Sequence, residues 1–296
     1  MPAVPSTAWA GHPLPAAFLE RTYATEHEQL RVLRKGGVRM HERSGYDGHT
    51  HTSFSDGRNT VVENVRAAEA VGLECVAITD HFFESGEWFD RMLAGINVAR
   101  QRYDVHVLAG AEVVIMNTEG EVSIGPEEAH RLEIVLADIG GRTLGIATDA
   151  PSTKARLLDN VTTCMVNACQ NPLVHVIAHP FNLGRFPLPV YITDIPKTSL
   201  RSIAQAFVDT DTAFELMNQM HWWFPDVPVE RFTRDYAELV GLFAAEGVKF
   251  VLGSDAHSAG AVGNLRWAVN LVQLAEIPPP QIVNLGKLHS ESGGRR

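Results

Sequence analysis

Cysteine is scarce in this chain: only Cys75, Cys164 and Cys169 occur in 296 residues. Three unevenly spaced thiols cannot build a disulfide framework, so an apolar core must hold the fold. Cys75 falls in an apolar run and reads as core, the usual place of a free cysteine. Long apolar runs are missing as well. None approaches the roughly 18 to 20 residues that span a bilayer. The opening Met1-Pro2-Ala3-Val4-Pro5 lacks the cationic stretch of a secretory leader. The expectation is a cytoplasmic protein with no membrane contact. Positive charge is also short, with 25 Lys and Arg against 35 Asp and Glu, a formal net charge of −10. Wrapping nucleic acid needs a basic face, so no nucleic-acid partner is expected. No G-x-G-x-x-G follows the first strand-like run, which argues against a dinucleotide site.

What the chain does have is an alternation of short apolar runs and helical patterns from Tyr46 onward. Strands are predicted at 46–50, 75–79, 105–111, 133–138, 173–178, 213–217 and 249–253. Helices are predicted near 60–71, 87–103, 153–170, 198–209 and 231–246, the last stopping at Gly247. Such alternation implies βα units with parallel strands, and seven strands suggest a barrel. Residues 1–45 differ, opening Pro- and Ala-rich before a helical stretch around 15–34. They read as an N-terminal helical arm that packs outside the domain and offers a homo-oligomer contact. Residues 46–289 form the main domain, and 290–296 read as a disordered tail.

The chemistry gathers at strand ends. His49 and His51 share a face of the first strand, and Asp255 and His257 share a face after the last. Between them the second strand ends in Thr79-Asp80-His81, the third in Gly110-Ala111-Glu112 and the fifth in Ala178-His179-Pro180. Functional residues of α/β barrels collect where strands end and βα loops begin. Five strands ending in His, Asp or Glu therefore argue for one metal site assembled from distant segments.

These residues resemble the polymerase and histidinol phosphatase (PHP) family of metal-dependent hydrolases. The carrying motifs are His49-x-His51-x-x-x-Ser55-Asp56-Gly57, Thr79-Asp80-His81, Gly110-x-Glu112, His179-Pro180 and Gly253-Ser254-Asp255-x-His257, in the family's order over about residues 46–270. The stand-alone phosphoesterases of the family look closer than its polymerase domains. The resemblance implies a distorted (β/α)7 TIM-like barrel holding two or three divalent ions, zinc, manganese or iron. It implies that His49, His51 and Asp255 hold one metal and that Glu112 bridges to a second, which also takes His179. Asp56, His81 and His257 would hold a third. Asp255, His257 and His81 would then serve catalysis, and Asp80 would orient a ligand from behind. In trinuclear relatives the fourth strand ends in a histidine, whereas here it runs into Gly140-Gly141-Arg142. The expected ligand is missing, with Asp138 or His130 as substitutes only if the strand register shifts.

The other histidines carry less. His106 and His175 lie early in strands and read as structural. His12, His27, His41 and His289 fall in the arm or tail. His221 sits in Asn218-Gln219-Met220-His221-Trp222-Trp223, which either lines a substrate pocket or covers the barrel mouth. Arg58, Arg142 and Arg185 follow strand ends and are candidate contacts for a phosphate, whose oxygens match the guanidinium fork. The reading these residues favour is a phosphoesterase acting on a small phosphorylated metabolite through a metal-bridging hydroxide. A PHP-type hydrolase of a C–N or ester bond and a non-catalytic metal-binding protein are the alternatives.

Overall fold

Seven short parallel strands follow one another around a nearly closed barrel, and the side chains that matter leave from one end of it. The computed structural model describes residues 45–283 and Leu285. The expected arm and tail lie outside the described residues. The strands are β1 (Tyr46–Asp47), β2 (Cys75–Ile78), β3 (His81–Phe82), β4 (His106–Val114), β5 (Ile134–Asp138), β6 (Val176–Ile177), β7 (Ala213–Met217) and β8 (Lys249–Gly253). All pairings are parallel, in the order β1-β2-β4-β5-β6-β7-β8. β3 is no extra stave. Cys75 pairs with His106 and His81 with Glu112, so β3 resumes β2 in the same register after Thr79 and Asp80. Residues just past β1 and β8 close the ring, where Thr50 bridges Ala256 and the Gly48 N–H donates to Leu252 O at 2.9 Å.

The helices are α1 (Val61–Ala70), α2 (Glu87–Arg102), α3 (Pro126–Ala129), α4 (Lys154–Gln170), α5 (Lys197–Thr210), α6 (Val229–Ala245) and α7 (Arg266–Leu274). Thr60 and Glu63 cap α1 reciprocally, and the Thr153 hydroxyl accepts from the Arg156 N–H at the start of α4. Both caps halt the chain after a loop and begin the helix where the sequence pattern places it. No helix among the described residues is long and apolar enough to cross a membrane.

An aromatic cluster fills the space between the sheet and the outer helices. Phe214 of β7 lies 5.1 Å from Phe243 of α6 and 5.6 Å from Phe250 of β8, with Phe207 of α5 at 5.7 Å. All four are at most 1% exposed. Burying each ring contributes roughly 1.5–3 kcal/mol, enough to hold β7 and β8 firmly beneath the loops they carry.

Candidate metal centre

Glu112 is the hub of the strand-end cluster. It is 2% exposed, and its two carboxylate oxygens face opposite neighbours. The His179 Nε2 lies 2.8 Å from Oε1, and the His81 Nδ1 lies 2.8 Å from Oε2. The His81–Glu112 pairing between β3 and β4 puts the second of these contacts in place. His49 and His51 project together from the end of β1, as the i, i+2 spacing predicts. Their Nε2 atoms stand 2.9 Å apart and each 3.4 Å from Glu112 Oε2. Asp255 completes this group, with Oδ1 3.1 Å from His51 Nε2 and 3.6 Å from His49 Nε2. On the outer side, Asp56 Oδ1 lies 3.2 Å from His257 Nε2 and its Oδ2 lies 3.5 Å from His81 Nε2.

Four sets of donor atoms are therefore within mutual reach: His49, His51 and Asp255; Glu112, Asp138 and His179; His51, Asp56, His81 and His257; and His49, His179 and Glu215. The structure brings all eight residues expected as ligands into one cluster, with His49, His51 and His179 each reaching toward two groups. It also corrects the expectation that the second group lacks a ligand. Asp138 ends β5 opposite Val114, two residues beyond Glu112 and on the same face, so no register shift is needed. Its Oδ1 accepts from Asn182 Nδ2 at 3.1 Å and stands 3.5 Å from His179 Nδ1. Gly140 leaves that carboxylate room, because a Cβ would come within 2.6 Å of Asp138 Oδ2 and displace it. His130 is excluded as the substitute, since its ring bonds to Pro126 O at the end of α3.

Glu215 was missed by the sequence reading, which took 213–217 only as an apolar strand. It is fully buried on β7. Oε1 accepts from His49 Nδ1 at 2.8 Å, and the other oxygen accepts from the His179 backbone N–H at 2.7 Å. A glutamate in the middle of an apolar strand was the available signal, since a buried carboxylate needs partners. Gly253 gives it room, for a Cβ there would overlap Glu215 Oε1 and come 2.8 Å from His49 Cβ.

Backbone conformation and buried acids fix the remaining parts. His179 and Asp255 hold φ of 29° and 53°, a left-handed region that few non-glycine residues adopt. Asp80, fully buried, accepts from the Thr52 N–H at 2.8 Å, the Thr52 hydroxyl at 2.7 Å, the Ser55 N–H at 3.1 Å and the Ser55 hydroxyl at 2.6 Å. It thus holds the loop between His51 and Asp56 rather than a ligand ring. Asp47 accepts from the Ser254 N–H at 2.9 Å and the Gly263 N–H at 2.8 Å, tying the loop after β8 to β1.

The electrostatics describe a site short of cations. Burial alone would push the His49 imidazole down, yet Glu215, Glu112 and Asp255 outweigh it and raise it well above its ordinary range. His179, against burial, is raised to about 10 by Asp138 and Glu112, and His81 to about 9 by Glu112 and Asp56. Burial raises Asp138 to about 6, whereas His49 and His51 override burial at Asp255 and hold it near about 2. Among the described ion pairs, histidine is the only cationic partner of Glu112, Asp138, Glu215 and Asp255. His51 Nδ1 is buried without a hydrogen-bond partner. Imidazole nitrogens facing each other among carboxylates, with an orphaned ring nitrogen beside them, fit divalent cations of the zinc, manganese or iron type.

The expected substrate contacts divide. Arg142 stacks on Phe83 with its guanidinium 4.2 Å from the ring centre, and Arg185 stacks on Trp222 at 3.7 Å. Both stand at the rim where the strands end. Arg58 is exposed, and its described contact is a backbone bond to His257 O at 2.9 Å. His221 turns its ring edge-on to Trp267 at 5.9 Å and joins none of the donor groups. His175 accepts the Val135 N–H at 3.1 Å, a tie between β5 and the start of β6.

Known proteins agree with this architecture. Residues 47–142 match the PHP domain family profile. A protein named "probable phosphatase" from Caldanaerobacter subterraneus subsp. tengcongensis is 28% identical over 250 residues, covering 83% of this chain and 89% of that one. One of the same name from Acetivibrio thermocellus is 29% identical over 241 residues, covering 80% and 90%. The crystal structure of a Listeria monocytogenes protein proposed to be a histidinol phosphatase superposes with a TM-score of 0.52 at 15% identity, covering 74% of this chain and 97% of that one. At that identity the match speaks to the fold alone.

Proposed function

We propose that this chain, which carries a PHP domain, is a metal-dependent phosphoesterase acting on a small phosphorylated metabolite. The observation that carries the reading is the convergence around Glu112 of imidazoles and carboxylates from six strand ends, in four overlapping donor sets. The names of its relatives support the phosphatase class. His49, His51 and Asp255 would hold one ion, Glu112, Asp138 and His179 a second, and Asp56, His81 and His257 a third. Bound divalent ions supply Lewis acidity and bring a water molecule's pKa toward ~7.

The protein's own part is orientation and access. Glu215 accepts a hydrogen bond from the His49 Nδ1–H, so Nε2 presents its lone pair to the cluster. Glu112 holds His81 and His179 apart on its two oxygens. Asp56, His81 and His257 have side chains 55%, 25% and 40% exposed, while His49, His51 and Glu112 are at most 2% exposed. Substrate therefore approaches over the Asp56–His81–His257 side, with Arg142 at its edge to take phosphate oxygens. Asp255, with Oδ1 3.1 Å from His51, sits between that side and the buried group.

The test is a panel of phosphorylated metabolites, run with manganese- or zinc-loaded protein beside amide and carboxyl-ester substrates. Phosphate release is the expected outcome. Turnover of the amide or ester substrates alone would move the assignment to another hydrolase, and no turnover of any substrate would reduce the chain to a metal-binding protein.

A further inference from the structure

Two series of ring contacts lead away from Glu112, and each ends in a guanidinium with no ion pair among the described residues. On one side His81 stacks on Phe83 at 5.5 Å and 23°, and Arg142 lies over Phe83. On the other, His179 meets Trp223 at 5.8 Å, Trp223 meets Trp222 edge-on at 5.0 Å, and Arg185 lies over Trp222. Arg142 is thus one ring removed from the cluster and Arg185 is two. The described ion pairs of arginine belong to Arg100, Arg131, Arg231 and Arg234, and among the described residues no carboxylate pairs with Arg142 or Arg185.

Arg185 is also held in place. Its Nε–H donates to Trp222 O at 2.9 Å while the ring supports its plane, which leaves the terminal nitrogens facing solvent. The turn that carries it, Leu183–Arg185, packs tightly on the Met220–Trp223 turn, where a Cβ at Gly184 would overlap Trp223 O. Trp223 Nε1, between this arginine and His179, is buried without a hydrogen-bond partner. A fixed guanidinium fork on an aromatic support is preorganised for an anion and loses little side-chain freedom on binding one.

We infer that Arg185, with Trp222 and Trp223, forms an outer anion subsite, and that the substrate is a phosphomonoester bearing a second anionic group. That group is a second phosphate or a carboxylate. The inference rests on the phosphoesterase reading, because the cluster must hold the scissile phosphate for the second group to reach Arg185. Trp222 and Trp223, edge-on to each other, link Arg185 to His179, so the subsite lies outside the donor groups themselves.

The experiment pairs substrates that differ only in the second anion: glucose 6-phosphate with glucose 1,6-bisphosphate, and phenyl phosphate with 4-carboxyphenyl phosphate. Wild type and Arg185→Gln, both loaded with manganese, are compared for phosphate release. In parallel, tryptophan fluorescence follows binding of glucose 1,6-bisphosphate and of glucose 6-phosphate. The expected result is a preference of roughly tenfold or more in kcat/KM for the doubly anionic member of at least one pair, carried by KM. The pair that shows it identifies phosphate or carboxylate, and Arg185→Gln collapses that preference to about threefold or less. Phosphate release from all four without preference, or a preference kept in Arg185→Gln, overturns the subsite and leaves the phosphoesterase reading standing. No release from any substrate overturns that reading instead. The fluorescence titration then decides the subsite, which survives only if the bisphosphate binds more tightly and Arg185→Gln abolishes the difference.

Discussion

Replacing Glu215 by glutamine changes one atom for another of similar size and should disable His49, the metal ligand it orients from behind. The carboxylate accepts two protons' worth of hydrogen bonding, from His49 Nδ1 at 2.8 Å and from the His179 N–H at 2.7 Å. Glutamine brings one acceptor oxygen and one donor NH2. The His179 N–H can only donate, so the oxygen turns to it and the NH2 faces His49. The imidazole must then accept at Nδ1, which moves its proton to Nε2, the atom 2.9 Å from His51 Nε2 and 3.4 Å from Glu112 Oε2. A protonated Nε2 has no lone pair for a cation. Metal affinity should fall about 10- to 100-fold, the usual cost of losing a partner that orients a ligating histidine. That is about 1.4 to 2.8 kcal/mol. Competition against a chelating dye measures the affinity, and circular dichroism checks that the barrel is intact. Wild-type affinity at every site in a folded Glu215→Gln chain would refute the tautomer argument.

Three further outcomes follow from the same geometry. Asp138→Ala should weaken one ion selectively, so that chelator titration strips it well before the rest, and an unchanged titration curve would remove Asp138 from the cluster. Asp80→Ala strands the Thr52 and Ser55 groups that it satisfies and should cost about 3 kcal/mol in urea unfolding, with loss below about 1 kcal/mol counting against its role in holding the loop. Burial pushes the thiols of Cys75 and Cys164 up to about 12 and raises Cys169 further, so none should react with a thiol dye in the folded chain, while all three react in denaturant. Rapid labelling of the native protein would show that these residues are not core.

Much of the barrel was legible because its strands and helices follow clean apolar periods. The predicted strands 213–217 and 249–253 coincide with β7 and β8, and the helix predicted at 153–170 is observed as Lys154–Gln170. α7 escaped because its start is capped from elsewhere in the fold: Asn218 Oδ1 accepts from the Trp267 N–H at 2.8 Å and the Ala268 N–H at 3.3 Å. No local pattern announces such a cap. Histidines and acids at strand ends marked the cluster, but the sequence left Asp138 uncertain until pairing with Val114 fixed its face. Glu215 was hidden by its apolar neighbours. The left-handed conformations of His179 and Asp255 have no glycine to advertise them and are imposed by tertiary contacts. Arg185 was read as one more rim cation, since its distance from the cluster depends on the Trp222–Trp223 turn.

The central claim is that this strand-end cluster binds divalent ions and hydrolyses phosphate esters with them. Its most direct test is elemental analysis of gently purified protein, with phosphate release followed as a chelator removes the ions and manganese or zinc returns them. The account predicts at least two equivalents of transition metal per chain, release that falls as they are stripped, and recovery on their return. Less than one equivalent with no gain on adding either metal, or release indifferent to the chelator, would contradict it.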